Sequence, residues 1–257
     1  MNGLKITLLG TGTSSGVPLL ACDCTTCISK DTRDKRLRCS VLIESKDTTI
    51  VIDTSSDFRQ QMLLYNVKKI DAVIYTHHHF DHIGGFDDIR AYNYIQQKPM
   101  PIYLNKTTCD GLKRTFTYAF EIPDQIGGGV PLIEINYINR DIININGIEV
   151  MPIPYMHGNL EVLGFRIGNF AYCTDTNFIP NDSIKKLQGL DTLILDALRY
   201  QKHPTHFTVD QALECALKIN AKQTYFTHIA HQIKHSELEA KLPKNIYIAY
   251  DGIEFLI

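Results

Sequence analysis

The chain has 257 residues, of which 44% are hydrophobic, and its formal net charge is −2. This length and apolar content suffice for one substantial core, so we expect a single domain spanning residues 1–257. The near-neutral charge argues against a protein that holds long nucleic acid by its phosphates, so nucleic acid is not an expected partner.

The N-terminal segment MNGLKITLLG carries one lysine and a short apolar run that ends at a glycine. A secretory signal needs a charged region, a longer apolar stretch and a small-residue cleavage site. No later segment has the roughly 18 consecutive apolar residues of a membrane helix. We therefore expect a cytoplasmic protein with no membrane partner.

The next segment, GTGTSSG, is rich in glycine but does not fit a dinucleotide-binding site. Gly10, Gly12 and Gly16 miss the G-x-G-x-x-G spacing, and a proline with a cysteine cluster replaces the helix that should follow. The segment instead predicts a tight turn between the first strand and a cysteine loop.

That loop, ACDCTTC, places Cys22, Cys24 and Cys27 within six positions. The chain has seven cysteines, an odd number that speaks against a disulfide framework and for free thiols or metal ligands. A redox pair at Cys24 and Cys27 should open a helix directly after a strand, and here another cysteine precedes it. A closed tetrahedral zinc site needs four ligands, so the loop supplies three and one must come from elsewhere.

Apolar runs rich in β-branched residues alternate with amphipathic segments along the rest of the chain. The predicted strands are residues 4–9, 40–45, 49–53, 71–76, 101–104, 142–153, 162–167, 170–174, 191–197, 223–228, 245–250 and 253–257. The predicted helices are residues 55–66, 86–97, 106–119 and 208–219, the last capped by Thr208. Asn146-Gly147, Gly168-Asn169 and Asp251-Gly252 predict tight turns that join strands. This mixture predicts two sheets in one α/β domain, with the helices outside.

The segment YTHHHFDHIGG follows a predicted strand and carries His77, His79, Asp81 and His82. Alternate residues of an extended loop point the same way, so His77 and His79 can hold one ion while Asp81 and His82 face a second. Imidazole and carboxylate donors suit zinc, manganese or iron, and two ions about 3.5–4 Å apart can share a hydroxide nucleophile. The motif therefore predicts a hydrolase with two metal ions.

This motif, with the glycine pair after it, resembles the metallo-β-lactamase superfamily. The resemblance implies a four-layer αβ/βα sandwich. It also implies three further ligands at strand ends, which correspond to His157 in PYMHG, Asp175 in YCTDT and His228 in YFTHIAHQ. By this resemblance, one ion is held by His77, His79 and His157, the other by Asp81, His82 and His228, and Asp175 bridges the two.

The motifs GTGTSSGVP, C-x-C-x-x-C, THHHFDH and THIAHQ, in this order, resemble the PhnP-type phosphoribosyl 1,2-cyclic phosphate phosphodiesterases, which are relatives of the tRNA 3′-processing phosphodiesterases. The resemblance implies a structural zinc whose fourth ligand is His231, with Cys39 as the alternative ligand or else a core residue that opens a strand. It also places His206 in the active site, where it would bind a phosphate oxygen or protonate the leaving oxygen. A surface histidine that flanks a helix is the other interpretation of His206.

We therefore predict a metal-dependent phosphodiesterase that hydrolyses a small substrate, such as a cyclic ribose phosphate. Its predicted cofactors are two catalytic divalent ions, Zn²⁺ or Mn²⁺, and one structural Zn²⁺; Asp81, Asp175 and His206 are its predicted catalytic residues. The alternatives are a thioester hydrolase of the glyoxalase II kind, a tRNA 3′-processing endonuclease and a non-catalytic binding protein. The predicted mobile loop at 126–131 is short and not basic, which argues against tRNA, and the intact ligand set argues against a non-catalytic protein. Pairing into a homodimer is left open.

The remaining histidines and a basic run receive no functional role. His78 lies within the motif without a predicted partner, and we expect His203 and His235 at the surface. We expect a solvated loop at the basic run Arg33, Lys35, Arg36 and Arg38, with a local basic patch as the alternative.

Overall fold

The computed structural model describes residues 3–121 and 129–257. Residues 126–128 of the mobile loop predicted at 126–131 lie outside the described residues. None of the helices within the two described ranges combines the length and apolar character that a bilayer crossing requires.

The described residues contain fourteen β-strands and seven α-helices. The strands are β1 (Lys5–Gly10), β2 (Ser40–Glu44), β3 (Thr49–Ile52), β4 (Ala72–Ile74), β5 (Met100–Leu104), β6 (Ile133–Tyr137), β7 (Ile143–Ile145), β8 (Ile148–His157), β9 (Leu160–Ile167), β10 (Phe170–Cys173), β11 (Thr192–Asp196), β12 (Gln223–Thr227), β13 (Ile246–Ile248) and β14 (Glu254–Leu256). The helices are α1 (Phe58–Leu64), α2 (Phe80–Ile83), α3 (Ile89–Gln96), α4 (Lys106–Thr115), α5 (Asn181–Lys186), α6 (Val209–Ile219) and α7 (His235–Glu239). Short 3-10 helices lie at Thr32–Asp34, Phe86–Asp88 and Thr117–Ala119.

The strands form two seven-stranded sheets. The first has the order β14-β1-β2-β3-β4-β5-β6, and the second has the order β13-β12-β11-β10-β9-β8-β7. In the first sheet β3 to β6 are parallel, and in the second β10 to β13 are parallel. The loops that follow these parallel strands therefore lie together along one edge of each sheet, where the carboxyl ends of the strands meet.

Three apolar cores separate four layers. Ile50 and Ile52 of β3 pack between the two sheets, whereas Val51 faces the helices α1, α3 and α4 on the outside. The second sheet packs on α5, α6 and α7 in the same way, for example through Ala212 of α6. Because both faces of a central strand are buried, TIVI shows no alternation of polar and apolar residues. The predicted four-layer αβ/βα sandwich is confirmed.

Two of the three predicted turns join neighbouring strands. Asn146 and Gly147 both have positive φ, 50° and 89°, and link β7 to β8, and Gly168-Asn169 links β9 to β10. The turn at Asp251-Gly252 differs, because it links β13 of the second sheet to β14 of the first. The predicted turn is confirmed, but the two strands that it joins do not pair with each other, because β14 pairs with the open edge of β1.

Two predictions of surface position are also wrong. His235 is fully buried, with its Nδ1 3.0 Å from Nη2 of Arg36 and its backbone N–H donating to Asp34. Arg36 itself is buried, and it donates to the hydroxyl of Thr11 and to the carbonyl of Ala249. The basic run is therefore partly a buried hydrogen-bonded network, which amphipathic spacing in the sequence does not reveal.

Candidate active site

The predicted catalytic ligands come together where the two sheets meet. Candidate ligand atoms of His77, His79, His157 and Asp175 lie within 4.8 Å of one another, and so do those of Asp81, His82, Asp175 and His228. Asp175 is the one residue that belongs to both groups. All seven side chains therefore lie in the two sets that the family resemblance implies. The carboxylate of Asp175 is shared by both sets.

Local structure explains how one short segment serves both groups. The backbone is extended at His79, which immediately precedes α2, and the single turn of α2 redirects Asp81 and His82 toward the second group. His78 points the other way and packs over Gly111, where an added Cβ would lie 2.3 Å from the imidazole Cγ. The alternation of an extended chain therefore separates His78 from the ligands on either side of it.

Asp53 fixes the orientation of His82 and was missed from the sequence. Its carboxylate accepts a hydrogen bond of 2.7 Å from Nδ1 of His82 and two more from the amide and hydroxyl of Thr76. With Nδ1 used as the donor, Nε2 of His82 faces Asp81 at 3.4 Å and Asp175 at 3.2 Å. The signal in the sequence is the aspartate that ends the apolar run TIVID, one strand away from the histidine motif.

Asp196, at the end of β11, was missed as well. Its carboxylate lies 3.3 Å from Nδ1 of His206 and 3.6 Å from Nδ1 of His228, and it accepts the backbone N–H of Phe207. Burial lowers the pKa of His206, but the charge and hydrogen bond of Asp196, together with the charges of Asp175 and Asp81, outweigh burial and raise the pKa to about 9. Nε2 of His206 lies 4.0 Å from Asp175, and its ring stacks on His228 at 4.6 Å. The structure therefore places His206 at the candidate site rather than on the surface.

The ring nitrogens of this cluster fit metal ions. The Nε2 atoms of His77, His82 and His228 are buried and have no hydrogen-bond partner among the described residues. Burial lowers the pKa of His77, which favours the neutral imidazole that binds a metal. Burial alone would raise the pKa of Asp175, but the neighbouring His228 and His82 lower it, so the carboxylate is ionised. Buried imidazole nitrogens next to an ionised carboxylate suit zinc or manganese.

A second candidate metal site joins the cysteine loop to the C-terminal half. The Sγ atoms of Cys22, Cys24 and Cys27 lie 3.3, 3.5 and 3.6 Å from Nδ1 of His231. Three thiols and one imidazole are a common ligand set of structural zinc. Cys39 is buried elsewhere, with its Sγ 3.4 Å from the carbonyl of Gly12, and so it is the core residue that opens β2.

His203 differs from the expected surface residue. It is half-buried, and its ring lies 5.0 Å from the ring of His206 between centroids. Its Nδ1 lies 3.3 Å from the backbone nitrogen of Thr205, whose carbonyl oxygen accepts a hydrogen bond of 2.8 Å from Nδ1 of His157. His203 is therefore tied to the site through the residue that orients a candidate ligand.

A four-layer sandwich with a histidine and aspartate cluster at the strand ends defines a metallo-hydrolase. The family model "Beta-lactamase superfamily domain" matches residues 48–229, and the chain belongs to this superfamily. A crystal structure of a diphosphatase from the PhnP family is 42% identical, covers 98% of this chain and 97% of its own, and superposes with a TM-score of 0.92. The predicted resemblance to PhnP-type proteins is thereby confirmed.

Other relatives carry different names. An octanoyltransferase from Porphyromonas gingivalis is 36% identical over 99% of this chain, which spans 52% of that relative. A hydroxyacylglutathione hydrolase from Idiomarina loihiensis is 25% identical over 52% of this chain and 43% of its own length. The chain thus spans about half the length of these curated relatives. The short form of human tRNase Z, with 17% identity, covers 98% of both chains with a TM-score of 0.70 and shares the fold.

Proposed function

We propose that the protein is a metal-dependent phosphodiesterase that acts on a small substrate. The observation that carries this proposal is Asp175, whose carboxylate belongs to both ligand groups while Nε2 of His206 lies 4.0 Å away. A bridging carboxylate beside a histidine donor matches a reaction in which negative charge develops on phosphoryl oxygens. The similarity to a diphosphatase adds a diphosphate ester to the substrates that we expect.

Two divalent ions, Zn²⁺ or Mn²⁺, would be held by the two ligand groups and would lower the pKa of a bound water and neutralise phosphoryl charge. The chain's own residues orient the ligands and supply the proton. Asp53 holds His82 in one tautomer, and the carbonyl of Thr205 does the same for His157. Asp196 favours the protonated ring of His206, which can then donate a proton to the leaving oxygen.

A structural zinc held by Cys22, Cys24, Cys27 and His231 is part of the proposal. His231 lies three residues after His228, so this zinc would fix the loop that carries a catalytic ligand. Its ligands are separate from those of the catalytic site, and the set is complete without water.

Thioester hydrolysis is the second candidate function. It is favoured by the similarity to hydroxyacylglutathione hydrolases and by the acyl chemistry in the name of the octanoyltransferase relative. The diphosphatase has a higher sequence identity to this chain, 42%, than either of these relatives, and the match covers 97% of the diphosphatase. This similarity supports phosphodiester chemistry. For tRNA processing, the human tRNase Z supports similarity of fold alone. The net charge of −2 provides no overall positive potential to attract RNA phosphates.

The test is hydrolysis of bis(p-nitrophenyl) phosphate by the metal-loaded protein. We expect Asp81→Ala and His157→Ala to lower kcat by at least about a thousandfold, because each removes a ligand from one group. Asp182→Ala, an exposed aspartate on α5, is the matched control and should keep wild-type activity. Near-wild-type activity in Asp81→Ala or His157→Ala would contradict the metal assignment. A higher kcat/KM for S-lactoylglutathione than for the phosphodiester would favour the thioesterase.

A further inference from the structure

The loop between β11 and α6, residues 198–207, is fixed next to the candidate site. The amide of Leu198 donates to the carbonyl of Phe207 at 3.0 Å and closes the base of the loop. Inside the loop, the guanidinium of Arg199 donates to two carbonyl oxygens, at 3.3 and 3.2 Å. Asn177, outside the loop, donates from its side-chain Nδ2 to the carbonyl of Pro204 at 3.0 Å. The backbone of this loop is therefore held in place by hydrogen bonds within the protein.

His203 is the half-buried side chain of this loop that no role has yet explained. Its Nδ1 faces the amide N–H of Thr205 at 3.3 Å and the hydroxyl of the same residue at 3.2 Å. An Nδ1 that accepts from a backbone N–H carries no proton, so the proton of the neutral ring is on Nε2. Nε2 has no hydrogen-bond partner among the described residues, which leaves an unused donor on a ring whose centroid lies 5.0 Å from that of His206.

The two histidines of the loop are neighbours near Asp175. Nε2 of His206 lies 4.0 Å from Asp175, and the ring centroids of His206 and His203 lie 5.0 Å apart. The exposed Lys202 directly precedes His203 and adds a positive charge to the loop. A single phosphoryl group that contacts His206 would leave the donor of His203 unused. A diphosphate carries its second phosphoryl group one bridging oxygen further out.

We propose that His203 binds the second phosphoryl group of the substrate and makes the site selective for diphosphate esters over simple phosphodiesters. This inference rests on the phosphodiesterase function proposed above and assigns a specificity-determining residue to it. The Nε2–H donates to a non-bridging oxygen of the distal phosphoryl group, while hydrolysis takes place at the phosphoryl group beside Asp175. His203 takes no part in bond breaking, so its contribution falls mainly on KM.

The experiment compares two substrates, diadenosine 5′,5′-diphosphate, which has two phosphoryl groups, and bis(p-nitrophenyl) phosphate, which has one. His203→Asn keeps a polar atom near the position of Nδ1 and removes the Nε2 donor, whereas His203→Gln extends an N–H toward the position of Nε2. For His203→Asn we expect the ratio of kcat/KM for the diphosphate to that for the monophosphate diester to fall about tenfold, through KM, because one hydrogen bond to a charged group is lost. His203→Gln should recover part of that ratio.

Gln201→Ala, an exposed residue of the same loop, is the matched control and should leave the ratio at the wild-type value. If His203→Asn and His203→Gln lower both kcat/KM values by the same factor, or leave the ratio unchanged, His203 serves only the loop and the inference is wrong. A wild-type protein that hydrolyses the monophosphate diester more efficiently than the diphosphate also overturns it. If the wild type hydrolyses neither substrate, the proposed function itself fails. Thermal unfolding identifies a variant that does not fold, and the other substitution then carries the comparison.

Discussion

Three aspartate and histidine residues of the site have strained backbones. Asp53, Asp175 and His228 have φ of 62°, 53° and 60°, in the left-handed region that residues other than glycine rarely adopt. Each follows the end of a strand, where the side chain must turn back toward the sheet edge. Hydrogen bonds such as the one from the hydroxyl of Thr174 to Asp175 help to hold these conformations. Strain of this kind is kept where the surrounding structure over-determines a geometry that function requires.

At the residue scale, we expect Asp53→Asn to weaken metal binding by about 10-fold to 100-fold at the group that contains His82. The amide is neutral and can no longer accept from His82 and both donors of Thr76 at once, so the imidazole loses its fixed orientation. Chelator competition measures the affinity, and Asp47→Asn, an exposed aspartate, is the control. An unchanged affinity would mean that His82 is oriented by other contacts.

The sequence predicts the site residues unequally, and the reason is physical. His77 to His82 are recognisable because one loop carries them all, so their spacing alone indicates metal binding. His157, Asp175 and His228 are isolated in the sequence, and only the family resemblance singled them out. Asp53 and Asp196 gain their partners through the pairing of β3 with β4 and of β11 with β12, which no local pattern encodes.

At the scale of elements, α6 begins three residues after His206, and its cap Thr208 fixes the end of the loop that carries His206. The hydroxyl of Thr208 accepts from the amide of Gln211 at 3.2 Å, and the side-chain oxygen of Gln211 accepts from the amide of Thr208 at 3.0 Å. This capping box confirms the predicted cap. By contrast, α2 has only four residues, too few for a helical period to register in the sequence.

We expect Thr208→Ala to lower the free energy of unfolding by about 1 kcal/mol and to lower kcat several-fold, because the fraying of α6 releases His206. Asn105→Ala is the matched control, since Asn105 caps α4 through a 2.8 Å hydrogen bond from Thr108 and serves another helix. It should cost similar stability without the loss of kcat. Urea unfolding and steady-state kinetics measure both effects. Equal kcat in the two variants would show that the start of α6 does not position His206.

At the scale of the whole molecule, both candidate metal sites join distant parts of the chain. The first sheet supplies the histidine motif after β4, and the second supplies His157, Asp175 and His228. The cysteine loop of the N-terminal quarter meets His231, more than 200 residues further along, as the separation of 209 from Cys22 shows. Metal ions bound at these sites would therefore stabilise the assembly of the two sheets as well as take part in the chemistry.

We expect Cys24→Ser to lower the zinc content by about one ion per chain and to destabilise the segment THIAHQ, while the two catalytic ions still bind. The serine hydroxyl is a poor replacement for a thiolate, and three ligands do not close the tetrahedron. Elemental analysis of the purified protein measures the content, and Cys215→Ser on α6, outside this cluster, is the control. An unchanged zinc content would mean that the cysteines are ordinary thiols.

The pairing of β14 with β1 has a consequence for how the protein folds. The backbone groups of Leu4 and Ile257 hydrogen-bond to each other at 2.8 and 2.9 Å, which closes a loop of nearly the entire chain. Loop closure over such a length carries an entropic cost, and contacts of this kind slow folding. Until β14 has been synthesised, β1 keeps an open edge of unpaired amide and carbonyl groups. The nascent chain is therefore exposed to intermolecular strand pairing until β14 docks.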